Sequence, residues 1–544
     1  MAQFGTPARN EPAAAASSKG GHAPRGRCRT VQRSWPDDPG VGDALRHPRD
    51  DLVLERTVGS GDRFDQVEGP FLEYERRIVR VEGAAGDHWR ETTTYRWTLP
   101  WFAWLFTLPL RWAIARRGAP PGRHHRHVLD DRRGAPPTHT PWWAPPDRLD
   151  PRQLGVLGLL AAASMSSAFV NTLFTQTVNF AADDFGVSDT GVGAAGAIVR
   201  AGIVFVLPVA VLADRIGRRR VVTAMAIAAP LVTALGAVAP TFPFLVATQT
   251  IGRPIGLALD FLIAVVATEE MPRNSRAYAV SVLAMASGLG AGIAVMALPL
   301  ADLSPGAWRY VYVVTLIWMA VAVSVARHLP ETGRFQRPHV IAPRLDWMRF
   351  GVLAAVAFLG NLFIAPASLF QNGYLEDERG FSATTIALFT LSTATPAGIG
   401  LIIGGRIADI SGRRRMIAVG VPGSVALVVV SYSIGGPIMW LAMFGAGVLA
   451  GVTYPALAVY RTELFPTGNR SRAAGLLTAA ALLGGIGGLL VMGRLLDAGW
   501  SHGRVIGMLA LAQVAVVAIV LAWYPETAHR ELEELNPLDA AASG

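Results

Sequence analysis

The sequence predicts an all-α membrane protein: twelve transmembrane helices arranged as two six-helix pseudo-repeats, with a small N-terminal cytoplasmic extension. Three observations carry this expectation. Beyond Leu154, apolar runs of roughly 18–25 residues follow one another, each long enough to cross a hydrocarbon core of about 30 Å. The loops between them alternate between arginine-rich and arginine-poor. Four short signatures also occur twice, in the same order, 194–196 residues apart.

The 544-residue chain is 51% hydrophobic and only 16% charged, whereas a soluble domain carries about 25% charged residues. Most of that charge lies in residues 1–150 and in short clusters after them. The runs fall at 154–182, 190–212, 221–239, 243–267, 277–300 and 310–327, then at 350–373, 383–405, 416–434, 437–460, 473–493 and 504–523. This divides the chain into a disordered tail (1–50), a cytoplasmic or interfacial extension (51–148), an N-terminal six-helix bundle (149–327), a cytoplasmic linker (328–348), a C-terminal six-helix bundle (349–523) and a cytoplasmic tail (524–544).

Arg215 and Arg218–Arg220, then Arg273 and Arg276, then Arg327 and Arg334 mark one set of loops in the first half. Arg413–Arg415, Arg470 and Arg472 continue that set in the second half. Asp183-Asp184, Asp302 and Glu376-Asp377-Glu378 fall in the other set. Basic loops stay on the cytoplasmic side, so both termini of the span region are expected in the cytoplasm of a cell that carries the protein in its plasma membrane. The net charge of +9 follows from these loops and does not indicate nucleic acid; the expected partners are the lipid bilayer, a small-molecule substrate and protons, on a monomer.

Composition also removes chemistry. Cys28 is the one cysteine and Lys19 the one lysine. A phosphate-binding loop needs Gly-Lys-Ser/Thr, and Lys19 is followed by Gly20, so ATP hydrolysis by that loop is excluded. No cofactor, metal site or enzymatic activity is expected; His124-His125-Arg126-His127 reads as a solvated linker.

The first 150 residues are the least regular. Residues 1–50 are rich in Ala, Gly, Pro and Arg, the composition of a disordered segment. Residues 71–83 alternate as a strand does, and 92–97 offer a partner strand. Residues 97–114 are apolar and Trp-rich but broken by Pro100, Pro109 and Arg111, which suits an interfacial anchor better than a span.

The duplicated signatures name the moving parts. Asp214-Arg215-Ile216-Gly217-Arg218-Arg219-Arg220 returns as Asp409-Ile410-Ser411-Gly412-Arg413-Arg414-Arg415. Glu269 with Arg276 returns as Glu463 with Arg470, and Pro330-Glu331-Thr332 as Pro525-Glu526-Thr527. A membrane anchor would need only the arginines. The recurring Asp and Gly, the latter suited to a tight turn at positive φ, favour a latch on the cytoplasmic helix ends.

These motifs resemble those of the major facilitator superfamily over roughly 150–535. Asp214, Arg215, Gly217, Arg219 and Arg220 match the family's loop, with Ala210 where Gly is expected. Asp409, Gly412, Arg414 and Arg415 match it again, with Ile410 where a basic residue is usual. The resemblance implies two six-helix bundles, a central cavity and alternating access. The Pro-Glu-Thr segments look like the markers of sugar porters, and Glu463-Leu464-Phe465-Pro466-Thr467 is similar to a loop of organic-ion and metabolite symporters. Gln371-Asn372 stands where sugar porters carry a Gln pair. The Gly-Pro signature of drug antiporters is missing from residues 277–298.

Ionisable residues within spans are costly and mark function. Arg200, Arg253 and Asp260 are the three that stand out, all in the first half. Arg253 and Asp260 are seven residues apart, hence on one helix face and about 10.5 Å apart along it. Two cations against one acid suggest an anionic substrate such as a carboxylate, which Arg binds through paired hydrogen bonds, with Asp260 as the proton carrier. Asn171, Asn361, Gln371, Asn372 and Tyr454 are the polar candidates for the cavity wall. The expected function is therefore secondary active transport of a small organic solute, an organic anion or a sugar, by proton-coupled symport. The alternatives are a proton-coupled efflux antiporter for drugs or metabolites and a membrane sensor on the same scaffold.

Overall fold

The computed structural model describes residues 28–59, 61–82, 86–97, 101, 103–115, 144–145, 147–205, 209, 212, 216–272, 275–331, 346–398, 400, 413–465 and 470–526. The chain divides into two compact units, one of residues 1–144 and 148–151, the other of 145–147 and 152–544.

The first unit is an antiparallel sheet of five strands, β1 (Arg29–Pro36), β2 (Leu54–Val58), β3 (Arg63–Glu68), β4 (Glu73–Val81) and β5 (His88–Arg96), in the order β1-β5-β4-β3-β2. The expected pairing of 71–83 with 92–97 is present, with Tyr74 opposite Tyr95 and Arg76 opposite Thr93. Disorder over 1–50 is not what the structure shows for 29–50: β1 and the short helix α1 (Val41–Leu45) lie there. The strands were hard to recognise because charge replaces apolar residues on their inner face. Arg76 and Glu55 are both fully buried, 2.6 Å apart, and Tyr74 and the Arg49 backbone N–H also donate to Glu55. Beside them Leu45, Phe64 and Ile78 form a small apolar core.

Helix α2 (Ala103–Ala115) follows the sheet. At 1.5 Å per residue its 13 residues span about 20 Å, short of a bilayer core of about 30 Å. The Arg33 and Arg49 side chains donate to the carbonyls of Ala113, Ile114 and Ala115 at its C-terminus, where cations are favoured. Leu110, Ala113 and Ile114 are buried, while Leu108 and Trp112 are exposed.

The second unit is helical: α3 (Pro151–Phe185), α4 (Asp189–Ala201), α5 (Arg218–Ala234), α6 (Phe242–Glu270), α7 (Arg276–Met296), α8 (Trp308–His328), α9 (Trp347–Leu369), α10 (Ala383–Ala394), α11 (Arg413–Ser433), α12 (Pro437–Glu463), α13 (Arg470–Asp497) and α14 (His502–Trp523). Among the described residues ten helices are long and apolar enough to cross a membrane, against the twelve expected. At the other two expected positions α4 and α10 have 13 and 12 residues and lead towards residues outside the described set. Close helix crossings rely on missing side chains: a Cβ at Gly193 would sit 2.5 Å from the Leu489 carbonyl oxygen, and one at Gly488 2.2 Å from that of Leu362. Small residues let membrane helices approach to backbone distance, and here they bring α13 against both α4 and α9.

Candidate functional site

The three buried charges lie on α4 and α6. Pro254 sits inside α6 and lacks the N–H that would bond the carbonyl one turn back. That carbonyl, of Thr250, lies where a Cβ at Gly202 would come within 2.4 Å of it. The close approach sets the end of α4, which carries Arg200, beside the middle of α6, which carries Arg253. Both guanidinium groups are partly buried, and neither forms an ion pair with a described residue. Arg200 also reaches α13, with Nη1 3.2 Å from where a Cβ of Gly485 would be.

Asp260 lies two turns further along α6. Ser164 on α3 donates to its Oδ1 at 3.1 Å, and Ser287 on α7 also hydrogen-bonds it. The two serines are 2.7 Å apart. Asp260 thus has hydroxyl partners from two helices and no cation among the described residues. Asn171 lies between the charges: its Nδ2 donates to Ser167, its Oδ1 packs against Gly256, and that oxygen is buried without a donor. Arg253, Asn171 and Asp260 thus follow one another along about two turns of α6, with Arg200 near the Arg253 end.

The second half contributes a cavity of about 570 Å³ in which Asn361, Gln371 and Tyr454 are among the lining residues. Asn372 is placed elsewhere. It is buried, and its Nδ2 donates to the Gln176 backbone carbonyl at 2.8 Å and to Oε1 of the same residue at 3.1 Å, tying α3 to the end of α9.

The latch residues divide by how much is described. Asp214, Arg215, Asp409 and Gly412 lie outside the described residues, and so do the side chains of Glu269, Arg276, Glu463 and Arg470. Gly217 has φ of 100° and starts α5. Glu331 accepts the Arg219 backbone N–H at 3.2 Å, while the Arg219 guanidinium donates to the Ala326 carbonyl. In the second half Glu526 accepts the N–H groups of Arg413 and Arg414 at 3.0 and 3.1 Å, and the Arg414 guanidinium donates to the Leu521 carbonyl. Each partner stands 195 residues from its counterpart. A carboxylate on the first turn of a helix meets unpaired N–H groups and the positive end of the dipole. Arg220 and Arg415 are exposed.

At the opposite helix ends the repetition continues. Asp184 accepts from Trp308 Nε1 at 3.1 Å and Arg309 Nη1 at 2.7 Å; Glu378, 194 residues on, accepts from the His502 N–H at 3.0 Å. Two further acids cross between the halves. Asp302 accepts the N–H groups of Ala383 and Thr384, at 2.8 and 2.9 Å, at the start of α10. Asp497 accepts the N–H of Thr190, at 3.0 Å, at the start of α4. Glu331, Glu526, Asp302 and Asp497 were absent from the expected site, although their recurrence at one spacing was a readable signal.

Long apolar helices around a charge-lined centre, with matched caps at both ends, define a multi-pass membrane transporter. The model of the Major Facilitator Superfamily matches residues 159–371 and again 350–540, and the chain belongs to that family. It is 28% identical to the cis,cis-muconate transport protein of Acinetobacter baylyi over 187 residues, 31% of this chain and 45% of that protein. That match therefore spans less than half of the relative's length. A metabolite transport protein of Haemophilus influenzae is 28% identical over 348 residues, 59% of this chain and 83% of that one. The xylose transporter of E. coli, solved in an inward open conformation, is similar in fold, with a TM-score of 0.60 at 15% identity, covering 71% of this chain and 99% of that chain.

Proposed function

We propose that this protein is a secondary active transporter of a small organic anion, working by proton-coupled symport and alternating access. The observation that carries this reading is the pair Arg200 and Arg253, on helix segments that meet at Gly202 and Thr250, with no carboxylate partner among the described residues. A buried cation without a counter-ion is expensive, and an arriving carboxylate removes that cost through charge-assisted hydrogen bonds. A sugar would leave both guanidinium groups uncompensated. A relative named for muconate transport supports an organic acid as cargo. Asp260, held by two hydroxyls and no cation, suits a group that exchanges a proton.

The remaining architecture is read on the same basis. The chain forms twelve spans as two pseudo-repeats of six, with α4 and α10 opening spans 2 and 8, and acts as a monomer in the plasma membrane. The arginine-rich loops support a cytoplasmic position for both termini, with residues 51–148 read as a cytoplasmic extension whose α2 rests at the interface. Asp302 and Asp497 then lie on the outer side, so the halves are joined outside and the conformation faces inward. The Arg219–Glu331 and Arg414–Glu526 contacts belong to the inner rim.

The test is uptake of carboxylates into proteoliposomes with and without an imposed pH gradient. Wild-type protein accumulates a carboxylate only with the gradient. Arg253→Gln weakens binding about tenfold or more, as loss of a charge-assisted hydrogen bond of roughly 1.5–3 kcal/mol requires. Asp260→Asn keeps exchange across the membrane and loses accumulation; full gradient-driven uptake by this variant removes Asp260 as the coupling acid. Gradient-driven expulsion in place of uptake replaces symport with efflux antiport. Binding without flux of any solute makes the protein a sensor.

A further inference from the structure

The two halves offer opposite chemistries. The charges Arg200, Arg253 and Asp260 lie in the first half. The cavity of about 570 Å³ lies in the second, and its walls include Val425 on α11, Met443 on α12 and Val516 on α14. Its volume falls in the range of about 300–1,000 Å³ that holds small organic ligands. Polar groups are the minority of the lining: Asn361, Ser368 and Gln371 on α9 or its end, Ser424 on α11, Thr453 and Tyr454 on α12, and Gln513 and Tyr524 on or after α14, and Asn361 already uses its Nδ2 on the Ala357 carbonyl.

The charges and the cavity meet at one stretch of α9. A Cβ at Gly485 would lie 3.2 Å from Arg200 Nη1 and 3.2 Å from the Ala365 Cβ. Ile364, the neighbour of Ala365, lines the cavity. Arg200 and the cavity thus both adjoin residues 364–365 of α9, on faces of that helix about 100° apart.

Resting on the anion reading above, we propose that the substrate is an amphiphilic organic anion. Its acid group is held by Arg200 and Arg253, and its apolar body, alkyl or aryl, enters the second-half cavity. Most of the lining is apolar, which favours an alkyl or aryl body over a polyol, whose many hydroxyl groups would outnumber their partners there. Methylene groups gain by the same transfer, about fourfold in affinity for each one, the equivalent of about 0.8 kcal/mol.

The experiment is calorimetric titration of the full chain in nanodiscs with straight-chain monocarboxylates from propionate to decanoate, corrected with protein-free nanodiscs. Three proteins are compared: wild type, Arg253→Gln and Gly360→Leu. Gly360 lines the cavity, and a Cβ there meets nothing within 4 Å, so a leucine takes up free space. Wild-type affinity rises about fourfold per methylene until the cavity is full. Gly360→Leu loses the rise, and an unchanged circular dichroism spectrum shows that it is folded. Arg253→Gln weakens the whole series and keeps its slope. Binding of short acids with no slope overturns this proposal and leaves the anion reading standing. No binding of any carboxylate overturns the anion reading itself. A slope unchanged in Gly360→Leu places the chain in the bilayer or against another surface and overturns the cavity assignment.

Discussion

Asp497 accepts the backbone N–H of Thr190 at 3.0 Å, from a helix 307 residues earlier in the chain. Asp302 makes the equivalent contact on Thr384 in the other direction. Both carboxylates sit on a helix N-terminus, where the positive end of the dipole favours them. Asp302→Ala and Asp497→Ala each remove charged hydrogen bonds of roughly 1.5–3 kcal/mol. Each variant shifts the protein towards the state open on that face by about tenfold or more. Spin-label distances across α4 and α13, and across α7 and α10, report the shift; an unchanged distribution in both variants removes the contacts from the closure.

The pH on that side acts at the same face. Glu376 lies in the single wide turn Tyr374–Glu378, and its Oε2 is buried without a donor. Burial, then the Asp183, Asp377 and Asp302 carboxylates, pushes its carboxyl up from 4.5 to about 8. A solvated Glu376 in the opened state loses its proton near 4.5, while the closed state keeps it to about 8. Closure is therefore strongest at low pH, and it weakens as pH rises through that interval. Glu376→Gln stays closed throughout. The reading is cysteine accessibility at the outer face as pH is varied, and a flat wild-type profile sinks the prediction.

Glu331 and Glu526 cap α5 and α11 through the same contacts. Their replacement by Ala lowers stability by about 1 kcal/mol each, the usual value of a lost helix cap. Thermal unfolding in detergent measures it. Gly217→Ala strains the turn at φ of 100°, and its new methyl would also stand 3.1 Å from the Glu331 carboxylate. It should therefore destabilise more than the loss of the cap.

In the sheet unit, burial alone would raise the Glu55 carboxyl, but Arg76, Arg49 and Tyr74 bring it below its ordinary value of 4.5. A lowered carboxyl stabilises above that value, and the contribution is lost as pH falls through the lower native one. Glu55→Ala strands Arg76 in the interior at a cost of about 3–5 kcal/mol. Loss of the strand signal in circular dichroism of the full chain at neutral pH is the expected result. A variant as acid-resistant and as stable as the wild type refutes the role of the pair.

The apolar helices were legible because lipid requires uninterrupted apolar length, and Arg200, Arg253 and Asp260 stood out against it for the same reason. The sheet was partly legible: β4 and β5 showed as alternating stretches, whereas β2 and β3, with Glu55 buried on the inner face of β2, lack the apolar alternation that identifies a strand. Asp302 and Asp497 looked like loop charge because their partners are backbone N–H groups, which no side-chain pattern records. Asn372 fits a polar cavity wall by type and spacing. Only packing reveals that Gln176 has taken its donor.

The crossing of Asp302 to α10 and Asp497 to α4 has a consequence for assembly. Each half supplies one acid and one helix start, and receives the same two from its partner. That is the geometry of an isologous interface, in which residue i meets j and j meets i. A single half therefore carries both members of the contact and is complementary to a second copy of itself.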